Sequence, residues 1–252
     1  MQSLSSHPVR VLLPAGGNAE QANELAAHLQ TTVVTEPDAA GGLLLCAGAD
    51  GLSLTDGDLT LTVDFERERR RLTAVNLARE MLVKACRVKG KEHPLVVDAT
   101  AGLGEDSILL AAAGFSVQLY EYDPVIAALL RDGLARAARV PALAETVSRM
   151  DLHEADSIAA LPNLPQPPDV VLLDPMFPQR QKSALVKKKF QLLQQLEQPC
   201  ENGAELLAAA MAAKPKKIVI KRPLKGEWLA DQKPDYSLEG KAIRYDCFVF
   251  AY

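Results

Sequence analysis

From Pro94 onward the chain alternates short apolar runs with longer amphipathic stretches, the pattern of strands separated by helices. Residues 95–97, 117–121, 147–152, 170–173, 217–221 and 244–251 read as strands. A Leu- and Ala-rich helix is expected between the first two, ending at Gly114, and another begins at Pro124, a favoured first helical position, and runs to about residue 139. Strands joined through helices imply right-handed parallel crossovers, so the expected fold is α/β, an open, doubly wound, Rossmann-like sheet. Residues 1–65 read as a small N-terminal α/β subdomain. It has a strand over 9–13, a helix capped by Asn18, strands over 31–34 and 43–46, and a hairpin of 52–55 with 58–63 about Asp56-Gly57. The stretch from Glu66 to about Val88 is helical in pattern, with Leu72, Val75, Leu77, Leu82, Val83 and Cys86 expected to be buried. It opens the second domain, 66–252.

Composition excludes more than it identifies. With 252 residues, 48% hydrophobic and 24% charged, the chain has material for a sizeable core and is not a disordered polymer. No apolar run approaches ~18 residues, and the N-terminus lacks a basic start leading into an apolar stretch. A cytoplasmic protein with no membrane partner is expected. Cys46, Cys86, Cys200 and Cys247 form no Cys-x-x-Cys pair and the histidines no ligand spacing, so no metal is expected. Net charge is −4, but it is unevenly spread: residues 175–252 carry 14 Lys or Arg against 8 Asp or Glu, and residues 1–174 carry 14 against 24. Such segregation leaves room for one positive face, although before any motif is weighed solvated surface is the favoured reading of the same charges.

In open α/β sheets ligands bind beyond the carboxyl ends of the strands. After the first strand of the larger domain comes Asp98-Ala99-Thr100-Ala101-Gly102-Leu103-Gly104-Glu105-Asp106. Its glycines permit a tight turn and close approach of a ligand to bare backbone. Glu121 ends the next strand, placed to accept hydrogen bonds from a ribose diol, and Asp174-Pro175-Met176-Phe177-Pro178 follows the fourth. A nicotinamide-binding loop would put its first glycine directly after the strand and carry a third, where this chain has Ser107. No proton relay for hydride transfer is evident. Taken alone, Asp98 or Glu121 reads as a helix cap or surface carboxylate; the ordered set is more specific.

Acid-x-x-x-Gly-x-Gly, a second-strand acid and Asp-Pro-x-Phe resemble class I S-adenosylmethionine-dependent methyltransferases. The resemblance implies a cofactor site at Asp98, Gly102, Gly104, Glu105, Asp106, Glu121, Tyr122, Asp156, Ser157 and Asp174. In it the glycine loop lies under the methionine part, Glu121 holds the ribose and Asp156-Ser157 lies near the adenine. Asp174, Pro175 and Phe177 would be catalytic. The carboxylate and the Pro175 carbonyl would hold the N–H groups of a weakly nucleophilic exocyclic amine, and Phe177 would stack on its base. More closely, VVDATAGLGEDSILLAAAGFSVQLYEYDPVIAALLRDGLARA, VVLLDPMFPQRQKSALVKKKF, IVIKRP and KAIRYD resemble the bacterial ribosomal RNA small subunit methyltransferase J family. That resemblance implies methylation of a guanine N2 in 16S, small-subunit, ribosomal RNA. It gives the basic residues a use in gripping phosphates: Arg69, Arg70 and Arg71, Lys182, Lys187, Lys188 and Lys189, and Lys221 with Arg222. An amino-methyltransferase acting on protein glutamine or DNA adenine, and a non-catalytic RNA-binding assembly factor, are the alternative readings.

Overall fold

The computed structural model describes residues 9–37, 41–175, 192–193, 195–196 and 202–251. These divide into two compact units. One holds the described residues up to Asp64 together with Asp123–Arg136 and residues 192–193 and 195–196; the other holds Phe65–Tyr122, residues 137–175 and residues 202–251.

The first unit is built on a five-stranded sheet of β1 (Arg10–Leu12), β2 (Val33–Val34), β3 (Leu44–Gly48), β4 (Gly51–Thr55) and β5 (Thr60–Leu61), in the order β2-β1-β3-β4-β5. The pairings of β1 with β2 and β3 are parallel, those of β3 with β4 and β4 with β5 antiparallel. The helix α1 (Ala19–His28) starts where Asn18 accepts the Gln21 N–H, satisfying a donor that the first turn leaves unpaired, and it buries Ala22 and Ala26. The expected hairpin about Asp56-Gly57 is present, with the Asp56 side chain accepting from Asp58 and Leu59 N–H groups. A second helix of this unit, α5 (Pro124–Ala137, all but its last residue in the unit), lies close against the chain after β5. A Cβ at Gly133 would fall 2.4 Å from a Val63 methyl carbon, so only glycine permits the approach. Asp132 ties the helix down by accepting from Leu52 N at 3.0 Å and from Arg136 Nε at 2.8 Å.

The second unit is organised by a seven-stranded sheet of order β11-β12-β10-β9-β6-β7-β8. Its strands are β6 (Leu95–Asp98), β7 (Ser116–Glu121), β8 (Met150–Glu154), β9 (Val170–Leu173), β10 (Lys217–Pro223), β11 (Tyr236–Glu239) and β12 (Ile243–Val249). All four residues of β9 are buried, as in a strand covered on both faces. The helix α4 (Glu105–Ala112) buries Ser107, Ile108, Leu109, Leu110 and Ala111. The chain runs from β6 outward through β7 to β8, then returns to β9 on the other side of β6. The switch point of the doubly wound sheet therefore falls between β6 and β9.

Four expectations need correction. The last strand is antiparallel to β10, and β11, which the apolar pattern did not mark, adds an outer edge beside it. Tyr236 and Glu239 are exposed and Ser237 and Leu238 half-buried, which weakens the alternation an edge strand would show. The third strand starts at Met150, because Pro141 opens the helix α6 (Pro141–Val147), which takes up the front of the expected run. The helix from Pro124 stops at Ala137. The long helix expected after Glu66 is broken into a 3-10 turn (Phe65–Glu68) and the short helices α2 (Ala74–Leu77) and α3 (Met81–Cys86). Thr73 and Glu80 take extended backbone before α2 and α3. The Asn76 side-chain amide donates to Arg70 O at 2.6 Å, and Arg71 bridges Glu68 and Glu80, so polar side chains close the gaps that helix hydrogen bonds would have filled. Leu77, Leu82, Val83 and Cys86 are buried as expected, whereas Leu72 is half-buried and Val75 exposed.

Candidate active site

At the carboxyl end of β6, Asp98 is 2% exposed and uses both carboxylate oxygens: Oδ1 accepts from Thr100 N at 3.2 Å and Oδ2 from Ser107 Oγ at 2.6 Å. Burial outweighs these bonds and raises its pKa to about 7, with Asp106 and Asp174 adding to the upward push. Ser107, at the position where a dinucleotide loop would carry its third glycine, is thus a buried partner of the strand-end acid. That substitution was visible in the sequence; its hydrogen bond was not.

The loop between β6 and α4 is held from both neighbouring strands. Ala99 N donates to Leu172 O of β9 at 3.0 Å, and Ala101 N to Tyr120 O of β7 at 3.1 Å. Gly102 N donates to Glu121 Oε2 at 2.8 Å. Gly102 has φ +53° with nothing within 4 Å of where a Cβ would stand, so its outer face is open, and Gly104 caps α4 at φ +74°. Glu121 is buried, Tyr122 beyond it is exposed, and Glu105 points out from the first turn of α4. Ala155 N donates to Glu121 O, which brings Asp156 and Ser157 to the end of β7. There Asp156 accepts from Ile158 N and opens the short helix α7 (Ser157–Ala160).

Register brings the remaining groups in. Ile220 of β10 is paired with Leu173 of β9, so the next residues, Lys221 and Asp174, stand side by side. Lys221 Nζ lies 2.8 Å from Asp174 Oδ2 and 2.6 Å from Asp106 Oδ2, and Asp174 N donates to Thr100 Oγ1 at 2.7 Å. Tyr245, paired with Lys221 across β10 and β12, is buried beside them, and its phenol is pushed well above the ordinary range by burial and by Asp106. Thr100, Ser107 and Tyr245 stand inside segments the sequence singles out, but their parts were missed because each depends on a partner that only the fold brings near.

The expected phosphate contacts fare differently. Lys221 is engaged with two carboxylates, a correction to its reading as a phosphate grip. Arg222 is 5% exposed, donates to Glu227 O and sits near the buried Arg244–Asp246 pair, so its guanidinium lies inside the fold. Arg69 and Arg71 are about half exposed and face Glu66, and Glu68 with Glu80, respectively, outside the cluster around Asp98. Phe177, Lys182, Lys187, Lys188 and Lys189 lie outside the described residues. Among the described residues no helix is long and apolar enough to cross a membrane, and no group of three or more His, Cys, Asp or Glu is placed to hold a metal ion.

A glycine loop at the switch point, an acid at the end of each of two neighbouring strands and an Asp-Pro pair after the fourth belong to an S-adenosylmethionine-dependent methyltransferase of class I. Comparison bears this out: the family model for SAM-dependent methyltransferases matches residues 27–250. The solved structure of a SAM-dependent methyltransferase from Neisseria gonorrhoeae superposes with a TM-score of 0.77 at 32% identity, covering 95% of each chain. Ribosomal RNA small subunit methyltransferase J of Thioalkalivibrio sulfidiphilus is 43% identical over 91% of this chain and 93% of its own. The protein of that name from Alkalilimnicola ehrlichii is 37% identical over 98% of both. The chain belongs to the ribosomal RNA small subunit methyltransferase J family.

The residues present suit a cationic cofactor. S-adenosylmethionine carries a sulfonium and an ammonium, and the site offers an open glycine turn with buried carboxylates at its back. A positive charge beside Asp98 favours its ionised form, so binding should release a proton wherever the free carboxyl still holds one. Because the free pKa is about 7, cofactor affinity is expected to rise toward that pH, by at most about tenfold per pH unit, and to level above it. Calorimetry across this range tests it. Asp98→Asn should flatten the rise; a wild-type affinity independent of pH would refute the linkage.

Proposed function

We propose that this protein transfers the methyl group of S-adenosylmethionine to the N2 amine of a guanine in 16S ribosomal RNA, in the cytoplasm where ribosomal subunits are assembled. The carrying observation is the Asp174 N–H bond to Thr100: it fixes an acceptor carboxylate beside the glycine loop, in a chain whose relatives are named for small-subunit ribosomal RNA. When bound, the cofactor supplies an electrophilic methyl carbon, which the amine lone pair takes as the carbon–sulfur electron pair withdraws to sulfur.

Each site residue has a part in this reading. The guanine N2 lone pair is delocalised into the ring, so the amine needs its N–H groups held by acceptors before the lone pair can point at the methyl carbon. The Asp174 carboxylate and Pro175 carbonyl are those acceptors, and Asp174 or water takes the proton that the methylated nitrogen sheds. Phe177 stacks on the base. Gly102 and Gly104 underlie the methionine part of the cofactor, with Asp98, Glu105 and Asp106 around it. Glu121 accepts from the ribose hydroxyls beside Tyr122, and Asp156 with Ser157 borders the adenine. Arg69, Arg70, Arg71, Lys182, Lys187, Lys188 and Lys189 meet RNA phosphates. The test is transfer of tritiated methyl groups to small-subunit particles that lack each methylation in turn. Label recovered as N2-methylguanosine in the RNA of one particle type is the expected result. Label in protein or DNA with none in RNA would redirect the substrate, and no turnover on any acceptor would favour a non-catalytic assembly role.

A further inference from the structure

We propose that Lys221 is a positioning residue for methyl transfer: bridging Asp106 and Asp174, it keeps the Asp174 carboxylate ionised and turned so that it accepts a hydrogen bond from the reacting amine. This rests on the reading of Asp174 as that acceptor.

The groups that face Asp174 come from four elements: Asp98 at the end of β6, Asp106 in α4, Lys221 in β10 and Tyr245 in β12. Two carboxyl groups and a phenol thus meet one ammonium, with Asp98 behind them. Neighbouring carboxylates drawn from water resist ionising together; Asp98, raised to about 7 chiefly by burial, has Asp106 and Asp174 adding to the same upward push. Burial also raises Asp174 above the usual aspartate range, and Lys221 is the group that opposes this. A protonated Asp174 would present a hydroxyl where the amine presents its own hydrogens, and the contact would become repulsive. The ammonium prevents that at 2.8 Å, while its 2.6 Å bond to Asp106 fixes the direction from which it approaches. The Lys221 side chain is 24% exposed and that of Asp174 41%, so the ammonium is sheltered while the carboxylate keeps one side toward solvent, where an amine can reach it. Two of the ammonium's three donors are committed, which separates this role from that of a surface lysine reaching for phosphate.

Two measurements on Lys221→Met, Lys221→Arg and Asp174→Asn test the idea. The first is a carbon-13 titration of the aspartate carboxyls in the full chain without cofactor or RNA, with Asp174 assigned by its loss in Asp174→Asn. The second is the pH profile of single-turnover methylation at saturating cofactor. Lys221→Met should move the Asp174 midpoint upward by about 1–3 pH units and the acid limb of the rate with it, with the rate recovering at alkaline pH. Lys221→Arg should restore both toward wild type. Asp106→Asn, which removes a negative neighbour, should move the midpoint the opposite way, and it keeps the test open should Lys221→Met fail to fold. An unmoved midpoint in Lys221→Met, with a rate reduced equally at every pH or with only salt-dependent RNA affinity lost, would overturn the inference. Full activity in Asp174→Ala, which removes the acceptor altogether, would instead overturn the underlying assignment of Asp174, whatever Lys221 does.

Discussion

Replacing Asp174 with alanine is expected to slow methyl transfer by about 10²–10³-fold, the scale on which one positioned electrostatic partner acts. Direct transfer to an amine passes through no covalent enzyme intermediate, so the protein accelerates it by orientation and by placing charge. The Asp174 carboxylate does both. The fold should tolerate the change: the backbone N–H of residue 174 keeps its bond to Thr100 Oγ1, and Lys221 keeps Asp106. Single-turnover rates at saturating cofactor and RNA, with melting curves on the same samples, check the prediction. A melting temperature that falls together with the rate would mean the loss is structural, and a rate within a few-fold of wild type would remove Asp174 from the chemistry.

Glu121→Ala is expected to weaken binding of S-adenosylmethionine by ~2–4 kcal/mol, or roughly 30–1000-fold. The figure exceeds that for one charge-assisted hydrogen bond because Glu121 also accepts from Gly102 N at 2.8 Å and so holds the glycine turn in its open shape. Truncation removes the ribose acceptor and loosens the turn together. Glu121→Gln retains an oxygen for the Gly102 N–H and should lose less, which separates the two contributions. Calorimetry with the cofactor and with its demethylated product reads both variants, and unchanged affinity in Glu121→Ala would exclude the residue from the site.

Both predictions concern residues that the linear pattern marks out. An apolar run ending in an acid, followed by a glycine turn, announces a strand whose carboxyl end carries a site, because buried parallel strands must be apolar while their ends meet ligand. The hairpin about Asp56-Gly57 is legible for a similar local reason, since its turn chemistry is contained in neighbouring residues. Where spacing failed, a distant partner made the choice. Glu66 to Val88 has residues suited to a helix, yet Arg71 with Glu80 and Asn76 with the Arg70 carbonyl offer bonds that compete with it. Few apolar contacts oppose the breaks; even Val75 remains exposed.

By itself the sequence determined most of the strand–helix alternation from Pro94 onward, though not β11 or α6, together with the carboxyl-end positions of Asp98, Gly102, Gly104, Glu121 and Asp174 and the family to which the chain belongs. These depend on burial patterns and backbone freedom, which are encoded residue by residue. Tertiary structure alone decided what the charged side chains do. Lys221 and Arg222 are adjacent cations in one basic run, yet the first is shared by two carboxylates and the second is buried against a backbone carbonyl. Side chains alternate between the two faces of a strand, and strand register selects the neighbours each one meets. The placement of β9 beside β10 sets Asp174 next to Lys221, and the antiparallel return of β12 adds Tyr245. A charge acquires its chemistry from such neighbours, through the water they exclude and the countercharge they supply, and those neighbours are remote in the chain.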